Sequence, residues 1–139
     1  FKNIAIGIVA LDAENNIYLV SQFRFVLNQN SLEIPEGGGD LLIDPLASAK
    51  RELKEETGIS AESWTELGRI HTSNSVTDEV GYMYLAENLT FGESEPDDTE
   101  ILKIQKVSLS KAIEMVMNSE ITDSLSIAAL LKVARLKGI

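Results

Sequence analysis

The chain has 139 residues, no cysteine, 44% apolar residues and a formal net charge of −10. That length suits one hydrophobic core, that apolar share excludes disorder, and no apolar run reaches the roughly 18 residues of a membrane span. The acidic balance disfavours nucleic acid and anionic lipid as partners, and the lack of cysteine excludes disulfides, thiolate catalysis and zinc–thiolate sites.

The chain opens at Phe1 rather than Met, with no basic-then-apolar leader ahead of it, and is read as a processed or trimmed piece. "IAIGIVALD" (4–12) and "NIYLVSQFRF" (16–25) are predicted strands, and "DAENN" between them is turn material. "LEIP" (32–35) is a short third strand stopped by Pro35, and "GGGD" (37–40) is a loop of unusual backbone freedom. Asp44-Pro45 opens a helix, since Asp caps well and Pro is favoured at the first helical position. That helix runs to Thr57 and stops at Gly58. "WTELGRIHT" (64–72) and "VGYMYLAENL" (80–89) form a further strand pair, with Trp64, Tyr82 and Tyr84 as sheet packing. "FGESEPDDTE" (91–100) is an acidic loop and "ILKIQKVS" (101–108) the last strand. Helices over 109–118 and 123–137 close the chain, the second capped by Asp123 and ended before Gly138. With no repeat or linker, the pattern is that of an α+β or α/β layered domain.

The helix after the glycine loop carries the chemistry. On a 100° wheel Leu46, Ala49 and Leu53 share the core face. Glu52, Glu55 and Glu56 fall on a neighbouring arc, although like charges three and four residues apart repel. Collected beside a glycine loop, these carboxylates supply hard oxygen ligands for Mg²⁺ or Mn²⁺. Taken alone, "KRELKEE" is also the ordinary composition of a solvated helix.

Around that helix the sequence resembles the Nudix hydrolase family. The family pattern is Gly, five residues, Glu, seven residues, then Arg-Glu-aliphatic-x-Glu-Glu-x-Gly-aliphatic. Gly37, Arg51, Glu52, Leu53, Glu55, Glu56, Gly58 and Ile59 match in register, eight of nine fixed positions. Ile43 stands where the family has Glu. "VSQFRF", "LEIPEGG", "SNSVTDE", "EPDDTE" and "ITDSLSIAALLKVARLKG" extend the likeness to the branch that cleaves ADP-ribose and other nucleoside diphosphate sugars. That branch usually carries an N-terminal β segment exchanged between subunits, and the resemblance would make Phe1 the start of the second part of such a protein.

The resemblance implies one Nudix hydrolase domain over residues 1–139. Its expected class is α+β, an α/β/α sandwich with a mixed central sheet flanked by helices. It implies a cytoplasmic homodimer with a small nucleotide substrate, and no nucleic acid or membrane partner. The reaction would hydrolyse a nucleoside diphosphate sugar to a nucleoside monophosphate and a sugar phosphate. Two or three Mg²⁺, with Mn²⁺ as the alternative, would offset the pyrophosphate charge and activate water. Glu52 and Glu56 are the implied central ligands, with Glu55, the Glu36 main-chain carbonyl and Glu100 as further ones. Arg51 would brace the carboxylates. Asp98 aligns with the family's base, with Asp97, Glu95 and Glu93 as alternatives from the same loop. Arg24, Glu33, Asp78 and Glu79 match positions that contact substrate. His71, without a companion ligand, reads as a strand-end residue.

Two other readings stand beside this one: a Nudix triphosphatase acting on modified nucleotides, and a non-catalytic nucleotide-binding module. Retention of Glu52, Glu55 and Glu56 beside Arg51 argues against the module, which has no need of their repulsion. Ile43 is expected to be buried and to pack ahead of the Asp-Pro helix start as a hydrophobic staple, leaving Asp44 to brace Arg51.

Overall fold

An unbroken apolar run such as Ile4–Ala10 suits a strand covered on both faces. The computed structural model, which describes residues 4–93 and 103–139, places it at the centre of a sheet. The elements are β1 (Ile4–Ala10), β2 (Asn16–Arg24), β3 (Gln29–Glu33), β4 (Glu36–Gly39), α1 (Pro45–Thr57), β5 (Ile59–His71), β6 (Val80–Phe91), β7 (Lys103–Ser108), α2 (Leu109–Met117) and α3 (Ser124–Lys137).

One sheet has the order β4-β1-β6-β5 and is mixed: β1 runs parallel to β6 and antiparallel to β4, while β5 and β6 are antiparallel. Strand periodicity sends Ile6, Ile8 and Ala10 of β1 to one face, where Ala49 and Leu53 of α1 cover them. Val9 and Leu11 join the other face, packed with Ile17 and Leu19 of β2 and with Leu125, Ala129 and Leu130 of α3. The class is therefore α+β, with helices on both faces of a mixed sheet.

Three expectations change. The glycine run is no free loop: Glu36–Gly39 forms β4, paired from Gly7↔Glu36 to Ile4↔Gly39. The third strand lies earlier than "LEIP", at Gln29–Glu33, and belongs to a second sheet of order β3-β2-β7. The chain therefore crosses from one sheet to the other at Ile34-Pro35. Ile43 is not a buried staple; it is 47% exposed. Asp44 caps α1, its carboxylate accepting the Leu46 N–H at 3.3 Å, while Arg51 pairs elsewhere.

Helix ends behave as the sequence predicts. Gly58 takes the left-handed conformation (φ 76°) that closes α1, and its N–H donates to the Lys54 carbonyl at 2.8 Å. Asp123 caps α3 by accepting the Ser126 N–H at 3.0 Å.

Candidate active site

α1 lies against β4, and the contact depends on a missing side chain. A Cβ added to Gly37 would stand 2.2 Å from the Glu52 carboxyl carbon and 2.5 Å from its Oε2. Only glycine there lets the Glu52 carboxylate rest on the strand. One turn on, Glu56 is 8% exposed and its Oε2 accepts the Glu36 N–H at 3.3 Å. Two carboxylates of the predicted arc thus turn inward, onto the main chain of Glu36 and Gly37. The third, Glu55, is half-exposed and meets Arg51 Nη1 at 3.4 Å. The same Nη1 lies 3.4 Å from Glu52 Oε1, so Arg51 sits between the two acids. Its positive charge there softens the repulsion on the arc.

Carboxylate oxygens gathered at a strand's main chain are the donor set of a hard divalent ion. The gap at Gly37, which a Cβ would fill, keeps the Glu52 carboxylate against that strand. Glu52 and Glu56, resting on the Glu36–Gly37 strand, are donors of the kind a hard divalent ion takes.

Sequence reasoning missed what lies behind Glu36. Carboxylate oxygens of Glu33, Glu36 and Asp123 approach within 4.8 Å of one another. Glu33, 2% exposed, is neutralised by Arg24, whose Nε donates to Oε2 at 2.9 Å and whose Nη2 reaches Oε1. This pair raises the Arg24 guanidinium above its ordinary range. Glu36 is pushed up to about 10 by burial first, then by its hydrogen-bonded neighbour Asp123 and by Glu33, so it holds a proton at neutral pH. Burial would also raise Asp123, but hydrogen bonds from Glu36 and Ser126, together with Arg24, hold its carboxyl below the usual range. "ITDS" signalled a helix cap and nothing about this cluster, because Asp123 meets Glu36 only through the fold.

Arg24, Glu33 and Asp123 line a cleft of about 410 Å³ with Phe23, Phe25 and Ser31. Asp78 and Glu79 stand just before β6, and Glu79 accepts the Thr72 hydroxyl at 2.8 Å. They border the sheet end where Gly39, Ile4 and Val80 stand in a row. His71 is exposed at the end of β5, and Trp64 packs edge-on to Tyr84 at 6.4 Å. Asp98 and Glu100, with Glu95 and Asp97, lie outside the described residues; Glu93 is exposed just before them. Among the described residues no helix is long and apolar enough to cross a membrane.

Comparison with known proteins bears on the family and the fold. The family model for the NUDIX domain matches residues 2–125. The ADP-ribose pyrophosphatase of Bacillus subtilis (strain 168) is 34% identical over 122 residues, covering 86% of this chain and 66% of that protein. The ADP-ribose pyrophosphatase of Mycobacterium tuberculosis is 33% identical over 132 residues, covering 93% and 64%. A methanol dehydrogenase activator of Bacillus methanolicus is 32% identical over 127 residues, covering 90% and 69%. The chain thus spans about two thirds of the length of these relatives. A crystal structure of an ADP compounds hydrolase superposes with a TM-score of 0.87 at 23% identity, covering 98% of this chain and 74% of that one, which shows a shared fold.

Proposed function

The chain belongs to the Nudix family, and from that membership we propose that it hydrolyses the pyrophosphate bond of a nucleoside diphosphate sugar of the ADP-ribose kind. The products are a nucleoside monophosphate and a sugar phosphate. The observation that carries this reading is the convergence of Glu52, Glu56 and the Glu36 main chain across the gap at Gly37. The activity in the names of two curated relatives supports the substrate class.

Glu52 and Glu56, with Glu55, the Glu36 carbonyl and Glu100, are the residues that would hold Mg²⁺ or Mn²⁺. When bound, the ion supplies positive charge against the pyrophosphate and acidifies water at the site. A water oxygen bonds to one phosphorus, the bridging P–O bond breaks, and Asp98 takes the proton as base. The acidic segment carrying Asp98 and Glu100 leaves from Gly92, whose N–H donates to the Gly58 carbonyl at 2.8 Å beside the end of α1. Gly58 stands two residues after Glu56 in the chain, and this tie supports that assignment. Arg51 holds Glu52 and Glu55 apart from direct repulsion. Arg24 and Glu33 border the cleft as substrate contacts, and Asp78 and Glu79 serve the sugar-phosphate side.

Residues 1–139 act in this reading as one Nudix unit, and a nucleotide-sugar substrate implies a cytoplasmic site of action. A homodimer is supported by the β2–β3 hairpin, whose tip exposes Phe25 and Val26 almost entirely. The test incubates the protein with ADP-ribose or with nucleoside triphosphates, with and without Mg²⁺, and separates the products. AMP and ribose 5-phosphate, formed only with Mg²⁺, are expected. Turnover of triphosphates alone would replace this reading by a triphosphatase. Binding of ADP-ribose without turnover would make the chain a binding module.

A further inference from the structure

Where the chain leaves one sheet for the other, at Ile34-Pro35, no strand ladder holds it, and proline has no N–H with which to tether itself. The corner nevertheless carries the Glu36 main chain to Glu56. Its ties come from neighbouring elements. The Ile8 N–H donates to the Pro35 carbonyl at 3.0 Å, and Glu36 donates to Glu56. A further tie is the fully buried hydroxyl of Ser126 on α3. Ser126 Oγ accepts the Ile34 N–H at 3.0 Å and lies 3.0 Å from Glu36 Oε2 and 2.7 Å from Asp123 Oδ2. It therefore grips the residues on both sides of Pro35.

That hydroxyl is itself held in place. Asp123 accepts the Ser126 N–H, and Leu125 occupies the space above Gly7 and Gly81, where a Cβ would stand 2.8–3.0 Å from it. The start of α3 is thereby pressed onto β1 and β6.

We propose that Ser126 is a positioning residue for the metal site, its hydroxyl locking the Ile34–Glu36 corner so that the Glu36 main chain faces Glu52 and Glu56. The inference rests on the Nudix metal site described above. Residues that orient a metal's ligands typically carry 10- to 100-fold of metal affinity. A hydroxyl that merely satisfies the Ile34 N–H would instead change stability alone.

The test titrates Mn²⁺ alone into the whole protein, reading free Mn²⁺ by electron paramagnetic resonance, beside metal-free melting curves and steady-state kinetics. Ser126→Ala is expected to bind Mn²⁺ about tenfold more weakly and to lower kcat, with KM for ADP-ribose little changed. Ser126→Thr, which keeps the hydroxyl, is expected to retain Mn²⁺ affinity. Folded Ser126→Ala with wild-type Mn²⁺ affinity overturns the proposal, whatever its melting temperature. Should the alanine variant not fold, Ser126→Cys, which fills the site with a weak hydrogen-bonding group, must show the weakened binding; wild-type affinity there overturns it equally. A wild-type protein that binds no Mn²⁺ removes the metal site itself, an outcome distinct from a variant that binds as well as wild type.

Discussion

At Gly37 an added methyl group would meet the end of the flexible Glu52 side chain, not rigid backbone. Gly37→Ala should therefore displace the carboxylate and leave the fold in place. Turnover at saturating Mg²⁺ is expected to fall by about tenfold or more, with a melting temperature close to that of the wild type. Kinetics and a melting curve check this, and unimpaired turnover would mean that the Glu52 position is not needed. Glu36 offers a second test at this scale. Its proton is held in the metal-free fold up to about 10, against an ordinary 4.5. A raised folded value means the native state binds that proton more tightly than the unfolded chain does. Its contribution is thus fully present below pH 4.5 and is lost as pH climbs toward about 10. Asp123 acts in the opposite sense: its contribution is present above its ordinary 3.8 and is lost on acidification. In EDTA, melting temperature should therefore decline from about pH 5.5 to about pH 8.5, and Glu36→Gln should flatten that decline. Equal slopes in both proteins would show Glu36 already ionised. The resemblance offers Glu36 only through its main-chain carbonyl and Asp123 reads only as a helix cap, so the buried meeting of their side chains was not legible: Asp123 and Ser126 lie 87 and 90 residues beyond Glu36.

Among the elements, α1 was readable from end to end because its signals are local. Asp44, Pro45 and Gly58 mark its ends within the segment itself, and the 3.6-residue period separates Ala49 and Leu53 from the acids. β4 was not readable, since a glycine run has no side chains to alternate and its partner β1 lies about thirty residues earlier. The split into two sheets was equally hidden, because β7 finds β2 across most of the chain. Ile43 shows a local rule giving way. The staple pattern asks for an apolar residue before the cap, yet the loop leaves Ile43 at 47% exposure. A charge placed there is not desolvated, so the cost expected of a buried position disappears. Ile43→Glu is accordingly expected to change stability by no more than about 0.5 kcal/mol. A loss of about 2 kcal/mol or more in denaturant unfolding would show that Ile43 is buried after all.

For the whole molecule the question is what offsets an acidic site inside a chain of net charge −10. Arg51 is half-exposed and shared between Glu52 and Glu55, and Arg24 is spent on Glu33. Glu56, 8% exposed, accepts an amide hydrogen bond from Glu36. A divalent ion would relieve this concentration of charge only in the folded state, where β4 and α1 bring the donors together, because the unfolded chain scatters them. Binding of that kind stabilises by mass action, about 2.7 kcal/mol when the ion is present at a hundred times its dissociation constant. For a domain of this size such a gain raises the melting temperature by several degrees. Millimolar Mg²⁺ should therefore raise the melting temperature and EDTA should reverse it. NaCl at matched ionic strength should not reproduce the rise, since general screening acts weakly on partly buried charges. Differential scanning calorimetry in these solutions separates the two effects. A melting curve indifferent to Mg²⁺ would mean that the cradle between β4 and α1 is not a preformed metal site. A rise matched by NaCl would assign the stabilisation to relief of the overall negative charge instead.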